Sequence, residues 1–113
     1  MNKNKIGVTE FINHVLKTGQ RNLSAGENWI SFGVYSYKMN TLLDIISGKA
    51  ETIGKHFKDF KIVSSQNYKS DNIIFRGINI DTKEIEDIVE IEFDILAKET
   101  TSIKYSELLR EDG

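Results

Sequence analysis

The chain contains no cysteine and no proline among its 113 residues. Without cysteine it cannot form disulfides, build thiolate zinc sites or use a thiol nucleophile. This composition fits a reducing compartment, so we expect a cytoplasmic protein. No apolar run approaches the ~18 residues that a transmembrane helix needs. The lysines near the N-terminus are not followed by the apolar segment of a signal peptide, so we expect no membrane partner.

Motifs for catalysis and cofactor binding are also missing. The glycine-rich patterns of phosphate and dinucleotide sites do not occur, and neither does the G-x-S-x-G turn of a serine hydrolase. The two histidines, His14 and His56, lack the spacing and the companion ligands of a zinc site. We therefore expect no cofactor, no metal and no catalytic residues. A small metal-dependent or hydrolytic enzyme is only the third interpretation.

The composition is that of a globular protein, with 39% hydrophobic and 28% charged residues. Its length predicts one compact domain over residues 1–113. The net charge of −2 hides an uneven distribution: residues 1–80 carry eleven basic and six acidic side chains, whereas residues 81–100 carry two and eight. A basic body with an acidic segment is a pattern that can select a partner by charge.

The acidic segment coincides with the clearest structural signal, which lies in residues 85–96. Here Val89, Ile91 and Phe93 alternate with acidic residues, and period-2 alternation predicts a strand with one buried and one solvated face. Shorter apolar runs at residues 60–66 and 73–80 predict two preceding strands. Because the joining loops are short, we expect a three-strand antiparallel meander over residues 60–96.

Helical periodicity predicts the rest of the fold. A first helix should bury a stripe from Val8 to Leu16, with Thr9 as its N-cap. A second should begin at Asn40 or Thr41, continue its apolar stripe to Phe57 and Phe60, and break near Gly48, because glycine destabilises a helix interior.

Two segments complete the prediction. The aromatic stretch Trp29–Lys38 predicts a further strand, and the tail predicts a loop and then a short helix around Tyr105. The predicted fold class is therefore α+β, with an antiparallel sheet of about four strands, helices packed on one face, and the order αβαβββα.

Six carboxylates form what we call the acidic ribbon. Its simplest interpretation is a solvated strand face that protects the sheet from aggregation. The functional interpretation is a surface that attracts a protein with a basic surface, such as a nucleic-acid-binding protein. The members of the acidic ribbon are Glu84, Glu86, Asp87, Glu90, Glu92 and Asp94.

The alternative function is regulation by direct binding of nucleic acid. Lysines cluster over residues 49–61, where Lys55 and Lys58 would share one face of the second helix. Three aromatic residues would then be secondary candidates for stacking on bases. They are Trp29, Tyr35 and Tyr37. An isoelectric point near 5.7 argues against this alternative.

We therefore predict a small cytoplasmic binding protein without catalytic activity. Twelve lysines against three arginines, with plentiful isoleucine and asparagine, are typical of AT-rich coding. Together with the size and the charge distribution, this favours an accessory protein of a phage or mobile element. Such proteins include anti-CRISPR-like and other anti-defence inhibitors, and immunity proteins that block toxins. The sequence leaves the partner and the oligomeric state open.

Overall fold

The structure is a computed structural model that describes residues 7–18, 23–24, 31–32, 37–66 and 68–110. Its helices are α1 (Val8–Thr18), α2 (Tyr37–Gly48), α3 (Ala50–His56) and a short 3₁₀ helix (Glu107–Arg110). Its strands are β1 (Leu23–Ser24), β2 (Ser31–Phe32), β3 (Phe57–Gln66), β4 (Ser70–Asn79), β5 (Ile85–Asp94) and β6 (Glu99–Tyr105).

The four long strands form one antiparallel sheet in the order β3-β4-β5-β6, and β1 pairs with β2 in a separate two-stranded sheet. The predicted α+β fold class is confirmed, as is the meander over residues 60–96, which corresponds to β3, β4 and β5. Only three to five residues separate neighbouring strands of the large sheet along the chain, and connections this short require antiparallel neighbours.

The turns that follow β4 and β5 have the same construction. The Asn79 carbonyl accepts a hydrogen bond from Lys83 N at 2.7 Å, and the Asp94 carbonyl accepts one from Lys98 N at 2.8 Å. Both lysines adopt the left-handed conformation, with φ of 66° and 57°. The side chains of Asn79 and Asp94 also accept backbone hydrogen bonds within their turns. These turns fix the register of β5 against both of its neighbours.

The core lies between the helices and one face of the sheet, which we call the inner face. The rings of Phe60 and Phe75 stack at 5.2 Å, and Phe11 from α1 lies within 6.3 Å of both. From α2, the Tyr37 ring meets Phe93 edge-on at 5.6 Å. The described helices are therefore all held against this face, which agrees with the predicted packing on one side.

Two β-bulges change which side chains reach the core. The first interrupts the β3–β4 pairing after Lys58 and places Asp59 in the left-handed conformation, with φ of 56°. The second lies on β5 at Ile88, opposite the junction of Phe75 and Arg76. An extra residue shifts the alternation of faces by one position. Both Ile88 and its neighbour Val89 are consequently buried.

The sequence predicted the number of helices correctly, but it placed several helix ends at the wrong residues. The break near Gly48 is confirmed, because α2 ends there and α3 begins at Ala50. Thr9 is not the N-cap, since α1 already begins at Val8, and Leu16 is 51% exposed. The α2 helix begins at Tyr37, ahead of Asn40 and Thr41. The apolar stripe does not continue as helix, because Phe57 and Phe60 belong to β3.

The fourth strand of the sheet is β6, which the sequence had placed in a loop. Tyr105 ends this strand, and the short 3₁₀ helix follows it. In the predicted strand Trp29–Lys38, residues 31–32 form β2, whereas Tyr37 and Lys38 open α2. The remaining residues of that predicted strand lie outside the described part of the chain.

Candidate binding face

The face of the sheet opposite the helices is the candidate functional surface, and we call it the outer face. Residues paired directly across antiparallel strands project to the same side, so the register defines its members. One row, for example, joins Val63, Ile74, Glu90 and Lys104. The members that bear on function are Lys58, Lys61 and Val63 from β3, Asn72, Ile74, Arg76 and Ile78 from β4, Ile85, Asp87, Glu90, Glu92 and Asp94 from β5, and Glu99, Ser102 and Lys104 from β6.

Charge is graded across this face. Lysines 58 and 61 lie on β3, and the carboxylates lie on β5 two strands away. Between them, β4 contributes Ile74, Arg76 and Ile78. Two more aliphatic side chains, Val63 and Ile85, lie on β3 and β5 themselves. The outer face therefore has a basic side on β3 and an acidic side on β5, with Lys104 on β6 beyond the carboxylates.

At one end of the acidic side, carboxylates are matched by neighbours on β4. Arg76 Nε donates to Asp87 Oδ1 at 2.7 Å, and the two side chains form an exposed ion pair. Asn72 Nδ2 donates to Glu90 Oε2 at 2.9 Å. These contacts hold both carboxylates in place, and Arg76 offsets the negative charge of Asp87.

At the other end lie three further carboxylates, Glu92, Asp94 and Glu99, which we call the acidic end. Glu99 is exposed, and the other two are half-buried. Glu99 lies directly across from Asp94 in the β5–β6 pairing. Like charges in that position destabilise a sheet unless a cation approaches them. Asp94 Oδ1 accepts a hydrogen bond from Ala97 N at 2.8 Å, which fixes this carboxylate at the start of the β5–β6 turn.

A shallow depression of about 430 Å³ adjoins the acidic end. It is lined by Tyr68, Lys69, Ser70, Glu92, Asp94 and Thr101. Two large side chains on the adjacent turns stand out into solvent: Tyr68 is 85% exposed and Leu96 is 91% exposed. Lys69 Nζ lies 5.4 Å from the centre of the Tyr68 ring. This corner of the sheet therefore combines carboxylates with an exposed aromatic and an exposed aliphatic side chain.

The predicted acidic ribbon is divided by the fold. Asp87, Glu90, Glu92 and Asp94 lie on the outer face, as the alternation predicted for the last three. Glu86 lies opposite Gly77 on the inner side, where Asn79 Nδ2 donates to its Oε2 at 3.2 Å. Glu84 is exposed in the turn before β5. The bulge at Ile88 explains the division, because it reverses the faces of the residues that precede it.

The secondary candidates are not brought together. Lys55 lies in α3, but Lys58 lies in β3, so the two do not share a helix face. Tyr37 packs on Phe93 at the start of α2 and does not lie on a strand. Trp29 and Tyr35 lie outside the described residues.

Sequence reasoning did not single out Tyr68 and Leu96. For Tyr68 the available signal was a large side chain inside a run of turn-forming residues, whereas Leu96 continued the apolar pattern of the predicted strand 85–96. Within the described ranges, no three His, Asp or Glu side chains are placed to hold a metal ion together. In the same part of the chain, no helix has the length and apolar character needed to cross a membrane.

Comparison of the chain with protein-family models, curated proteins and solved structures finds no match.

Proposed function

We propose that this protein binds a protein partner with a basic surface through the outer face of its sheet, and that it acts without catalysis. The observation that carries the proposal is the acidic end, where Glu92, Asp94 and Glu99 lie beside exposed Tyr68 and Leu96. Interfaces are typically anchored by a few large side chains within a polar rim, and this corner has both.

The distribution of charge on the outer face favours a basic partner over an acidic one. Arg76 offsets Asp87, so the excess negative charge lies toward the acidic end. Lys69 and Lys98 on the flanking turns reduce this excess but do not cancel it. A negative surface of this kind steers positively charged partners and raises their association rate.

The size of the outer face indicates which other residues the partner must contact. Strands β3, β4 and β5 each have ten residues. At ~3.3 Å per residue and ~4.8 Å for each of the four strands, the outer face measures about 33 Å by about 19 Å. That is about 630 Å², less than the ~800 Å² per partner of a standard interface. A stable complex therefore needs the turns that carry Tyr68 and Leu96 as well.

Binding rather than catalysis is supported by the setting of the carboxylates. A catalytic pair of carboxylates needs surroundings that separate the two pKa values, such as an apolar cleft. The outer-face carboxylates lie on an open sheet surface beside a shallow depression. Such a surface suits recognition of a large partner.

We further propose that the protein acts in the cytoplasm as an accessory protein of a phage or mobile element that inhibits a host protein. The support is the small size, the uneven charge and the AT-rich coding of the chain. An anti-CRISPR-like or other anti-defence inhibitor would bind a host protein that itself holds nucleic acid, and such proteins present basic surfaces. A toxin-immunity protein would use the same face on a basic toxin.

The experiment compares wild type and two triple variants as bait in lysate of the source cells, with and without nuclease treatment. The test variant reverses the outer face with Glu90→Lys, Glu92→Lys and Asp94→Lys. The control makes the same change of charge elsewhere, with Asp44→Lys, Glu51→Lys and Asp81→Lys, which are all exposed and lie away from the outer face. Circular dichroism establishes that both variants are folded.

We expect wild type and the control to retain the same protein and the outer-face variant to lose it. If all three retain that protein equally, the outer face is only a solvated surface and the proposal fails. If the captured material disappears with nuclease treatment and depends on Lys55 and Lys58, the protein binds nucleic acid instead.

A further inference from the structure

The outward edge of β6 bears on the oligomeric state, which the proposed function does not address. No described residue pairs with this edge, although β6 runs for seven residues beside β5. An unpaired edge offers a row of backbone donors and acceptors to another strand. Most of β6 is exposed, including Ile103 at 38%.

The pairing with β5 shows which backbone groups of β6 point outward. Ser106 N donates to Ile88 O at 2.8 Å, so the backbone groups of residue 106 face β5. Backbone groups alternate in direction along an antiparallel strand. Those of Lys104 and Ser102 therefore face β5, and those of Ile103 and Tyr105 face the open edge.

A bulge in β6 places two opposite charges symmetrically on the outer face. Lys104 lies across from Glu90, Ser102 from Glu92 and Glu99 from Asp94. Thr101 is the extra residue between the last two pairs. Their partners on β5, Asp94, Glu92 and Glu90, are two residues apart and therefore evenly spaced. Glu99, Ser102 and Lys104 are consequently also evenly spaced, with about 6.6 Å between neighbours. A negative and a positive side chain thus lie at equal distances on either side of Ser102.

We propose that two copies of this chain pair antiparallel through β6, about a two-fold axis at Ser102. In that register each Glu99 faces Lys104 of the second copy, so two complementary charge pairs form. The backbone groups of Ile103 meet outward-facing groups on the N-terminal half of the other β6. Each Lys104 also approaches the pair of like charges that Asp94 and Glu99 form in the second copy.

The symmetry of the charges identifies the second copy as the occupant of this edge. A two-fold axis requires a surface to complement itself, and a strand with opposite charges equidistant from its centre does so. The sheet would then have eight strands, and the outer faces of both copies would become continuous. This inference shares Glu99 with the acidic end, but it does not need a different protein to bind there, because it concerns strand pairing along the edge of the sheet.

Analytical ultracentrifugation of the whole chain tests the proposal. For wild type we expect a reversible dimer with a Kd between about 1 µM and about 1 mM. Glu99→Lys alone should weaken it about tenfold or more, because both charge pairs become repulsive, and so should Lys104→Glu alone. The double variant Glu99→Lys/Lys104→Glu should restore the dimer. Mixing the two single variants should give a heterodimer.

A backbone variant separates strand pairing from charge attraction. Ile103→Pro removes an outward N–H without removing a hydrogen bond to β5, so the fold should survive while the dimer is lost. A wild-type chain that stays monomeric up to about 1 mM would overturn the proposal and leave the edge for a strand of another protein. A dimer that resists both single charge reversals would overturn the register.

Discussion

The two faces of the sheet are built by the same strands but hold charge in opposite ways. On the inner face, the Asp71 carboxylate is buried and its Oδ2 pairs with Lys38 from α2. On the outer face, Asp87 pairs with Arg76 while both side chains remain exposed. Removing one partner of a buried ion pair strongly lowers the free energy of unfolding, because the other charge stays out of water. An exposed ion pair contributes little to that free energy. We infer that the inner face determines stability and that the outer face is available for binding.

The largest expected effect is on the inner face, at Phe93. Its side chain is 1% exposed and packs against the Tyr37 ring. Phe93→Ala should lower the free energy of unfolding by about 3–5 kcal/mol, the usual result for a buried aromatic residue. Glu92→Ala, the neighbouring outer-face change, should alter it by only about 0.5 kcal/mol. Urea denaturation measures both, and similar midpoints for the two variants would show that the faces are assigned wrongly.

The second-largest effect on stability should come from breaking the ion pair between Lys38 and Asp71. Asp71→Ala leaves the Lys38 ammonium without its carboxylate in a site where its side chain is only 24% exposed. We expect a loss of about 2–3 kcal/mol, chiefly because the half-buried ammonium loses this carboxylate. The double change Lys38→Met/Asp71→Leu should recover most of it, because no charge remains to be desolvated. If the double variant is no more stable than Asp71→Ala, the pair is not the reason for the loss.

Two glycines provide a contrast between the inner face and a helix surface. A Cβ on Gly77 would lie 3.0 Å from both Ile88 Cδ1 and Phe60 Cδ1, whereas a Cβ on Gly54 would meet nothing within 4 Å. Gly77→Ala should therefore destabilise the protein by about 1–3 kcal/mol through overpacking. Gly54→Ala should stabilise α3 by about 0.5–1 kcal/mol. Thermal unfolding followed by circular dichroism would reveal whether the two shifts have opposite signs.

The strands that sequence reasoning identified are those with one buried and one exposed face. Along β4 and β5, burial alternates because the helices cover only the inner face, so the period of two is visible. The polar side of β5 was predicted for the same reason, and Glu90, Glu92 and Asp94 do share the outer face.

The errors have two physical causes. Phe57 and Phe60 are three residues apart and both buried, a spacing that indicates a helix, but here the bulge at Asp59 produces it within a strand. The bulge at Ile88 likewise moved Glu86 off the outer face. β6 was missed because it is exposed on both sides and shows no alternation, although its β-branched residues favour a strand.

The smallest effect on stability should come from the outer ion pair. Arg76→Gln or Asp87→Asn should change the free energy of unfolding by about 0.2–1 kcal/mol, and by less at high salt. A double-mutant cycle by urea denaturation measures the coupling between them. Coupling as large as that of Lys38 and Asp71 would remove the distinction between the two faces.

The central claim, that the outer face steers a basic partner, is tested most directly by association kinetics. The rate constant for binding the captured partner is measured from low salt to about 1 M, where the Debye length falls from ~10 Å at 0.1 M to ~3 Å. At low salt, the variant Glu90→Lys/Glu92→Lys/Asp94→Lys should associate about tenfold more slowly than wild type. The control Asp44→Lys/Glu51→Lys/Asp81→Lys should stay close to wild type, and the difference should shrink as salt rises. Equal rates for the two triple variants at every salt concentration would contradict the claim.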